Sequence, residues 1–248
     1  MLLAQKSYVE GGLALTLYCA RLVDEVRTGS TGDAKQASAL LDVLTPIAKS
    51  WPSEWCLEAN SLAIQVHGGY GYTRDFPVEQ YWRDNRLNMI HEGTHGIQGL
   101  DLLGRKVVMD GGSAFALLGE RVAATITRAA TQRELSAFAQ ELGKAFSRLS
   151  EATQAAWSTA DPEEALANAT PYLQAFGHVV LAWIWLDITL AVVRSLDDER
   201  AAGRQHFLRG KLQATRYFYE YELPKIDAWI DVVAKRNATC REMREEWY

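Results

Sequence analysis

Apolar positions recur at helical spacing along almost the whole chain. From Leu2 to Val26, residues Leu3, Val9, Leu13, Leu17 and Leu22 fall close to one stripe, which predicts a helix with that stripe inward. The pattern starts at once, with no capping turn ahead of it, as expected of a piece of a longer protein. Thr28 to Asp33, rich in Gly, Ser and Thr, predicts a loop. A second helix is expected from near Asp33 through ALLDVLTPIAKSW, with Pro46 kinking or dividing it. Glu54 to His67 repeats the pattern through Leu57, Leu62, Ile64 and Val66 and stops at glycines. Phe76-Pro77 continues that loop, and Val78 to Met89 reads as helix again.

The run IQGLDLLGRKVV predicts a further helix despite its glycines. Asp110-Gly111-Gly112-Ser113 is the best boundary in the chain. Beyond it, helices are expected over Ala114 to Ala129, Gln132 to Ser158 and Tyr172 to Leu196, then from Arg200 to Lys235 with a break at Pro224. Asp161-Pro162-Glu163-Glu164 has the chemistry of a helix start: a cap, a proline in the first turn and acids at the positive end. No useful alternating pattern and no repeat occurs. The expected fold is all-α, as antiparallel bundles divided into residues 1–110 and 111–248.

Composition narrows the function classes. With 248 residues, 48% apolar and 23% charged, the chain suits an ordinary globular core. A net charge of −5 leaves no basic surplus to neutralise phosphates, so no nucleic-acid partner is expected. Three scattered cysteines, Cys19, Cys56 and Cys240, match no metal spacing and point to a reducing, cytoplasmic compartment. The apolar run Val179 to Val193 is short for a membrane span and carries Asp187, so it reads as a buried helix and no membrane association is expected.

One stretch, Gln65 to Gln98, is hard to explain by packing alone. Gly68, Gly69 and Gly71 alternate with Tyr70 and Tyr72, followed by EQYWRDNR and then by Glu92 between His91 and Gly93. Each glycine inside a helix costs roughly 1 kcal/mol against alanine, so the cluster marks a turn or a close backbone approach. Taken singly, the glycines read as a turn, Glu92 as a capping or surface acid and Arg83-Asp84 as an ion pair. His91 to His95 also spells H-E-x-x-H, the zinc-hydrolase pattern. Gln98 stands where the longer form of that pattern needs glycine, and no sheet edge exists to hold a peptide, so no metal ligand is assigned.

As a unit, the stretch resembles the C-terminal helical domain of flavin-dependent acyl-CoA dehydrogenases. The matching pieces are QVHGGYGY (Gln65 to Tyr72), FPVEQYWRD (Phe76 to Asp84) and IHEGTHGIQ (Ile90 to Gln98), in order and spacing. The likeness covers residues 1–108. The continuation GLDLLGRKVV, with another helical block after it, is similar to a longer subgroup that carries an appended helical region. The resemblance implies α,β-dehydrogenation of an acyl-CoA thioester with FAD. It makes Glu92 the base for the α-proton, in a dry pocket that raises its pKa, with its own N–H on the thioester oxygen. Gly93 would leave room for substrate, and Thr94, His95 and Gly96 would touch FAD. Gln65, Val66, His67, Gly68 and Gly69 would contact the ADP part of a neighbouring subunit's FAD through exposed N–H groups, which implies a homo-oligomer, expected to be a dimer. An electron-transfer-flavoprotein-like acceptor is implied too. His91 departs from the family's usual tyrosine, and Gly96 from a hydrogen-bonding residue. The family's N-terminal and β domains have no counterpart here, so the chain alone is expected to be inactive. The alternatives are a non-catalytic helical assembly module and a zinc hydrolase.

Overall fold

The computed structural model describes residues 1–196 and 203–248, and the expected helix start at Arg200 lies outside them. Among the described residues the regular structure is helical, with no strand. Helix α1 (Leu2–Thr28) turns through only Gly29 and Ser30 into α2 (Thr31–His67), so the expected six-residue loop is mostly helix. Ser30 explains the sharp start, because its hydroxyl accepts the Asp33 N–H at 3.3 Å. The two helices lie along one another as an αα-hairpin.

Neither Pro46 nor Pro52 divides α2, which runs unbroken through the Glu54–His67 segment expected as separate. A proline removes one helical hydrogen bond, a loss that burial of Leu40, Val43, Leu44, Ile47 and Trp51 outweighs. The face of α1 also differs from expectation. Ala4, Tyr8, Gly11, Gly12, Leu15, Cys19 and Leu22 form the buried seam, whereas Val9, Leu13 and Leu17 are exposed. Small residues win because they admit the neighbouring helices closely: the Gly11 Cα faces Trp185, and Gly12 lies against Pro52 and Trp51.

After α2 come a 3₁₀ turn at Gly68–Tyr72, α3 (Val78–Arg86), the single turn α4 (Asn88–His91) and α5 (His95–Asp101). A π turn at Leu102–Lys106 comes next, and positive φ at Asp110, Gly111 and Gly112 swings the chain into α6 (Ser113–Ala130). Then come α7 (Ser136–Ala156), which starts later than Gln132, α8 (Pro162–Leu166) and α9 (Ala169–Leu196). The last elements are α10 (Gln205–Tyr217), a π turn at Phe218–Glu222, a 3₁₀ turn over Pro224, α11 (Ile226–Ala234) and α12 (Thr239–Glu242).

Helix α9 is the axis. Val179 through Leu186 are all buried, which requires neighbours on every side, and α1, α2, α5, α6, α7, α10 and α11 supply them. The helix has the length and apolarity of a membrane span, but other helices cover it. One contiguous core therefore joins the early and late parts of the chain.

That core encloses a polar knot around His178 and Glu222. His178 on α9 is fully buried among Trp51, Trp55, Phe218 and Trp229, and its Nδ1 lies 3.2 Å from the Trp51 indole N–H. Glu222, at the π turn, accepts from Tyr217 at 3.0 Å and Lys225 at 2.5 Å, with His178 Nε2 at 3.9 Å. Burial alone would raise the Glu222 pKa, but the polar groups around it, His178, Lys225 and Tyr8, hold it down at about 2. Burial keeps the His178 pKa below its ordinary value. Both shifts act in one direction. Folded His178 binds its proton less readily than unfolded, so stability falls as the pH drops below about 6.5. The Glu222 contribution is complete above about 4.5 and is lost toward about 2. Urea unfolding at stepped pH should show this decline. Glu222→Gln should cost about 2 kcal/mol at pH 7 and flatten the decline between those two carboxylate limits.

Candidate functional site

The site residues expected from sequence sit at two stations along α2. Glu92, Gly93 and Thr94 form a turn between α4 and α5 that lies on Lys49, Ser50, Ser53 and Glu54. Gln65 to Gly69 close the same helix fifteen residues after Ser50. At a rise of 1.5 Å per residue the stations are about 20 Å apart. The structure does not bring them into one pocket.

At the first station the turn is held from behind. Gly93 is buried, and a Cβ there would collide with Ser53 Oγ and stand 2.7 Å from the Lys49 carbonyl. Its lack of a side chain serves packing on α2, and the expected role of making room for substrate is not what the geometry shows. Gly93 N–H donates to the Asn88 carbonyl at 2.8 Å, Thr94 Oγ1 to Ile90 O at 2.7 Å and Gln98 Nε2 to Glu92 O at 3.1 Å. The Glu92 N–H also donates to Asn88 O. That donor, expected on a thioester oxygen, is engaged because α4 ends there.

Only the Glu92 carboxylate projects. Its side chain is 64% exposed and pairs with Lys49 Nζ at 3.0 Å. The expected dry pocket is absent here, and the pKa shift is opposite to expectation. Hydrogen bonding and charge from Lys49, then the charge of His91, lower it. At an exposed carboxylate desolvation is too small to oppose a nearby ammonium.

The H-E-x-x-H pattern does not form a metal face. His91 ends α4 and His95 begins α5, with Glu92 to Thr94 breaking the helix between them. His91 is exposed, whereas the His95 ring turns in toward α2, where its Nδ1 bonds Ser50 Oγ. Among the described residues no group of three His, Cys, Asp or Glu side chains is arranged to hold a metal. The inward ring leaves His95 18% exposed, whereas Gly96 has nothing within 4 Å of a Cβ position.

At the second station Gly68 adopts φ +60°, which glycine permits, and ends α2. Its N–H donates to Gln65 O, so this donor is not offered to a phosphate as expected. Gly68 and Gly69 have nothing within 4 Å of a Cβ position. Val66 is exposed, and His67 lies 4.7 Å from the Phe76 ring. Beside them a groove of about 650 Å³ runs between α2 and α3, lined by Gln65, Tyr72, Arg74, Trp82 and Arg83 among others. Sequence reasoning placed only Gln65 of these at the site, although GYGY and EQYWRD carried the signal. Arg83 pairs with Glu79 at 2.9 Å, one helical turn back, and not with adjacent Asp84. The groove thus brings together two aromatic rings and two guanidinium groups, one of them engaged by the Glu79 carboxylate that lines it too.

Two substitutions test the first station. Gly93→Ala should displace the turn and lower stability by roughly 1–3 kcal/mol in thermal unfolding. Lys49→Met should move the Glu92 titration, followed by carbon-13 NMR of the carboxyl, upward toward the ordinary carboxylate range.

Comparison with known proteins gives a consistent set. Residues 13–108 match the model described as acyl-CoA dehydrogenase, C-terminal domain. Residues 118–244, just over half of the chain, match that described as acetyl-CoA dehydrogenase C-terminal like. The chain is 32% identical to 3-methylmercaptopropionyl-CoA dehydrogenase of Ruegeria pomeroyi, over 92% of this chain and 39% of that protein. It is 27% identical to a broad-specificity linear acyl-CoA dehydrogenase of Mycobacterium tuberculosis, over 98% of this chain and 42% of that protein. A shorter match, 43% over 23% of this chain and 15% of the relative, is to a subunit of the caffeyl-CoA reductase-Etf complex of Acetobacterium woodii. The chain thus spans about two fifths of the first two relatives.

Proposed function

The chain belongs to the acyl-CoA dehydrogenase family, in which it corresponds to the C-terminal helical part, and on that premise we propose that it carries the α-proton base of a FAD-dependent acyl-CoA dehydrogenase. The observation that supports this most is the Glu92 turn: clamped on α2 by Gly93, it presents a single carboxylate outward. Lys49 keeps that carboxylate ionised, as a base must be before it takes a proton. In the reaction the α-proton moves to a Glu92 oxygen while a hydride leaves Cβ, giving the α,β-unsaturated thioester. A bound flavin supplies the hydride acceptor, and an electron-transfer-flavoprotein-like protein would reoxidise it; the Etf-complex relative supports that partner. When substrate and the rest of the enzyme cover Glu92, lost solvation raises its basicity toward the working pH.

Thr94 and Gly96 would face the flavin of the same active site. Gln65, Val66, His67, Gly68 and Gly69, with the Arg74 and Arg83 groove, would meet the ADP part of a neighbour's flavin. That the second station serves a neighbour's flavin follows from the family likeness and implies a homodimer or larger assembly. The exposed stripe Leu2, Val9, Leu13 and Leu17 is apolar surface suited to being covered in such an assembly. We divide the chain at residues 110–111, where positive φ reverses it between the two matched regions, and place it in the cytoplasm, which its free cysteines suit. Alone, without the other three fifths of its relatives, the chain is expected to be inactive.

The test restores an N-terminal portion by fusion or co-expression and compares Glu92 with Glu92→Gln. Glutamine keeps size and backbone but accepts no proton. Acyl-CoA-dependent flavin bleaching should fall by on the order of 10² to 10⁴ at matched FAD content. Near-normal bleaching in the variant would remove Glu92 as the base and leave an assembly role for the stretch.

A further inference from the structure

The late part of the chain touches the Glu92 turn through a relay of side chains. His95, the first residue of α5, comes directly after the turn, and its side chain is only 18% exposed. On one side its Nδ1 bonds Ser50 Oγ. On the other, its Nε2 lies 3.4 Å from Glu54 Oε2, one helical turn further along α2. The same Glu54 oxygen accepts an N–H from Gln174 Nε2, which belongs to α9. Four side chains thus connect the central helix of the second region to the turn. The backbones agree: at Gly99 on α5, a Cβ would stand 2.6 Å from the Ala169 carbonyl of α9, and Trp157 Nε1 donates to Leu103 O at 3.1 Å.

The chemistry of the relay fixes its direction. When Ser50 donates to Nδ1, the neutral imidazole carries its proton on Nε2, the nitrogen on the Glu54 side of the ring. Nδ1 is then hydrogen-bonded and Nε2 stays at charge-contact distance from Glu54 without a formed hydrogen bond, and rotation of the ring breaks both contacts. Glu54 is itself partly exposed and, without Gln174, would be free to take other rotamers. A base three residues from His95 requires placement within a fraction of an ångström, which residues supporting the turn must provide.

We propose that the helices after Ser113 brace the proposed base: Gln174 holds Glu54, and Glu54 with Ser50 holds His95, making Gln174, Glu54 and His95 positioning residues for the Glu92 turn. The consequence for catalysis rests on the reading of Glu92 as the base, whereas the brace itself does not.

The test therefore begins on the 248-residue chain, with no turnover involved. Nitrogen-15 spectra of the histidine rings at neutral pH should show His95 protonated at Nε2. Hydrogen exchange at the Gly93 and Gln98 amides should quicken about tenfold in Gln174→Leu and in Glu54→Ala, with α7 amides unchanged. Should Gln174→Leu fail to fold, Glu54→Ala at its partly exposed site carries the measurement. With the N-terminal portion restored, both variants should lower kcat while leaving KM and FAD content in place. Proton occupancy at Nδ1 of His95, or unchanged exchange at Gly93 and Gln98 in the folded variants, overturns the brace. If exchange quickens while the Glu92→Gln protein bleaches normally, the brace stands and the base assignment falls.

Discussion

A helix that is apolar on all sides has to be surrounded, and α9 imposes that requirement on the whole chain. Its buried run Val179 to Leu186 is covered only when helices from both ends of the sequence close around it. The hairpin α1–α2 supplies one side, and α6, α7, α10 and α11 supply the others. Because α2 is held against α9, so is everything mounted on α2, the Glu92 turn included. The buried His178–Glu222 knot lies at the same junction and links α1, α2 and α9 to the π turn before α11.

The site shows a division of labour within one turn. Gly93 and Thr94 spend their backbone and side-chain groups on local bonds and on packing, and the Glu92 N–H is likewise engaged. The group left pointing outward is the carboxylate, paired with the Lys49 ammonium. Its surroundings are open in a chain whose relatives are more than twice as long. A carboxylate of such exposure becomes more basic when covered, since burial disfavours its charged form.

Helix content was legible throughout because a 3.6-residue apolar period is a local property. Which face of α1 turned inward was not. The sequence offers two stripes, and the larger side chains Val9, Leu13 and Leu17 are the obvious choice. The buried one is marked by Ala4, Gly11 and Gly12, whose value lies in letting Trp185 and Trp51 approach. Pro46 carried a true local signal against helix that tertiary burial overrode. Likewise HEGTH has the spacing of two ligands on one helical turn, yet the helix breaks at Glu92 and the histidines part.

Residue type and short spacing were enough to establish the class of structure, the place of the glycine turn after α2 and the family likeness of Gln65 to Gln98. Packing in three dimensions was needed to turn His95 inward, to make Gly93 a packing glycine, and to bring Gln174 to Glu54 across 120 residues. Those outcomes depend on which surfaces meet, and no short window of sequence contains both partners.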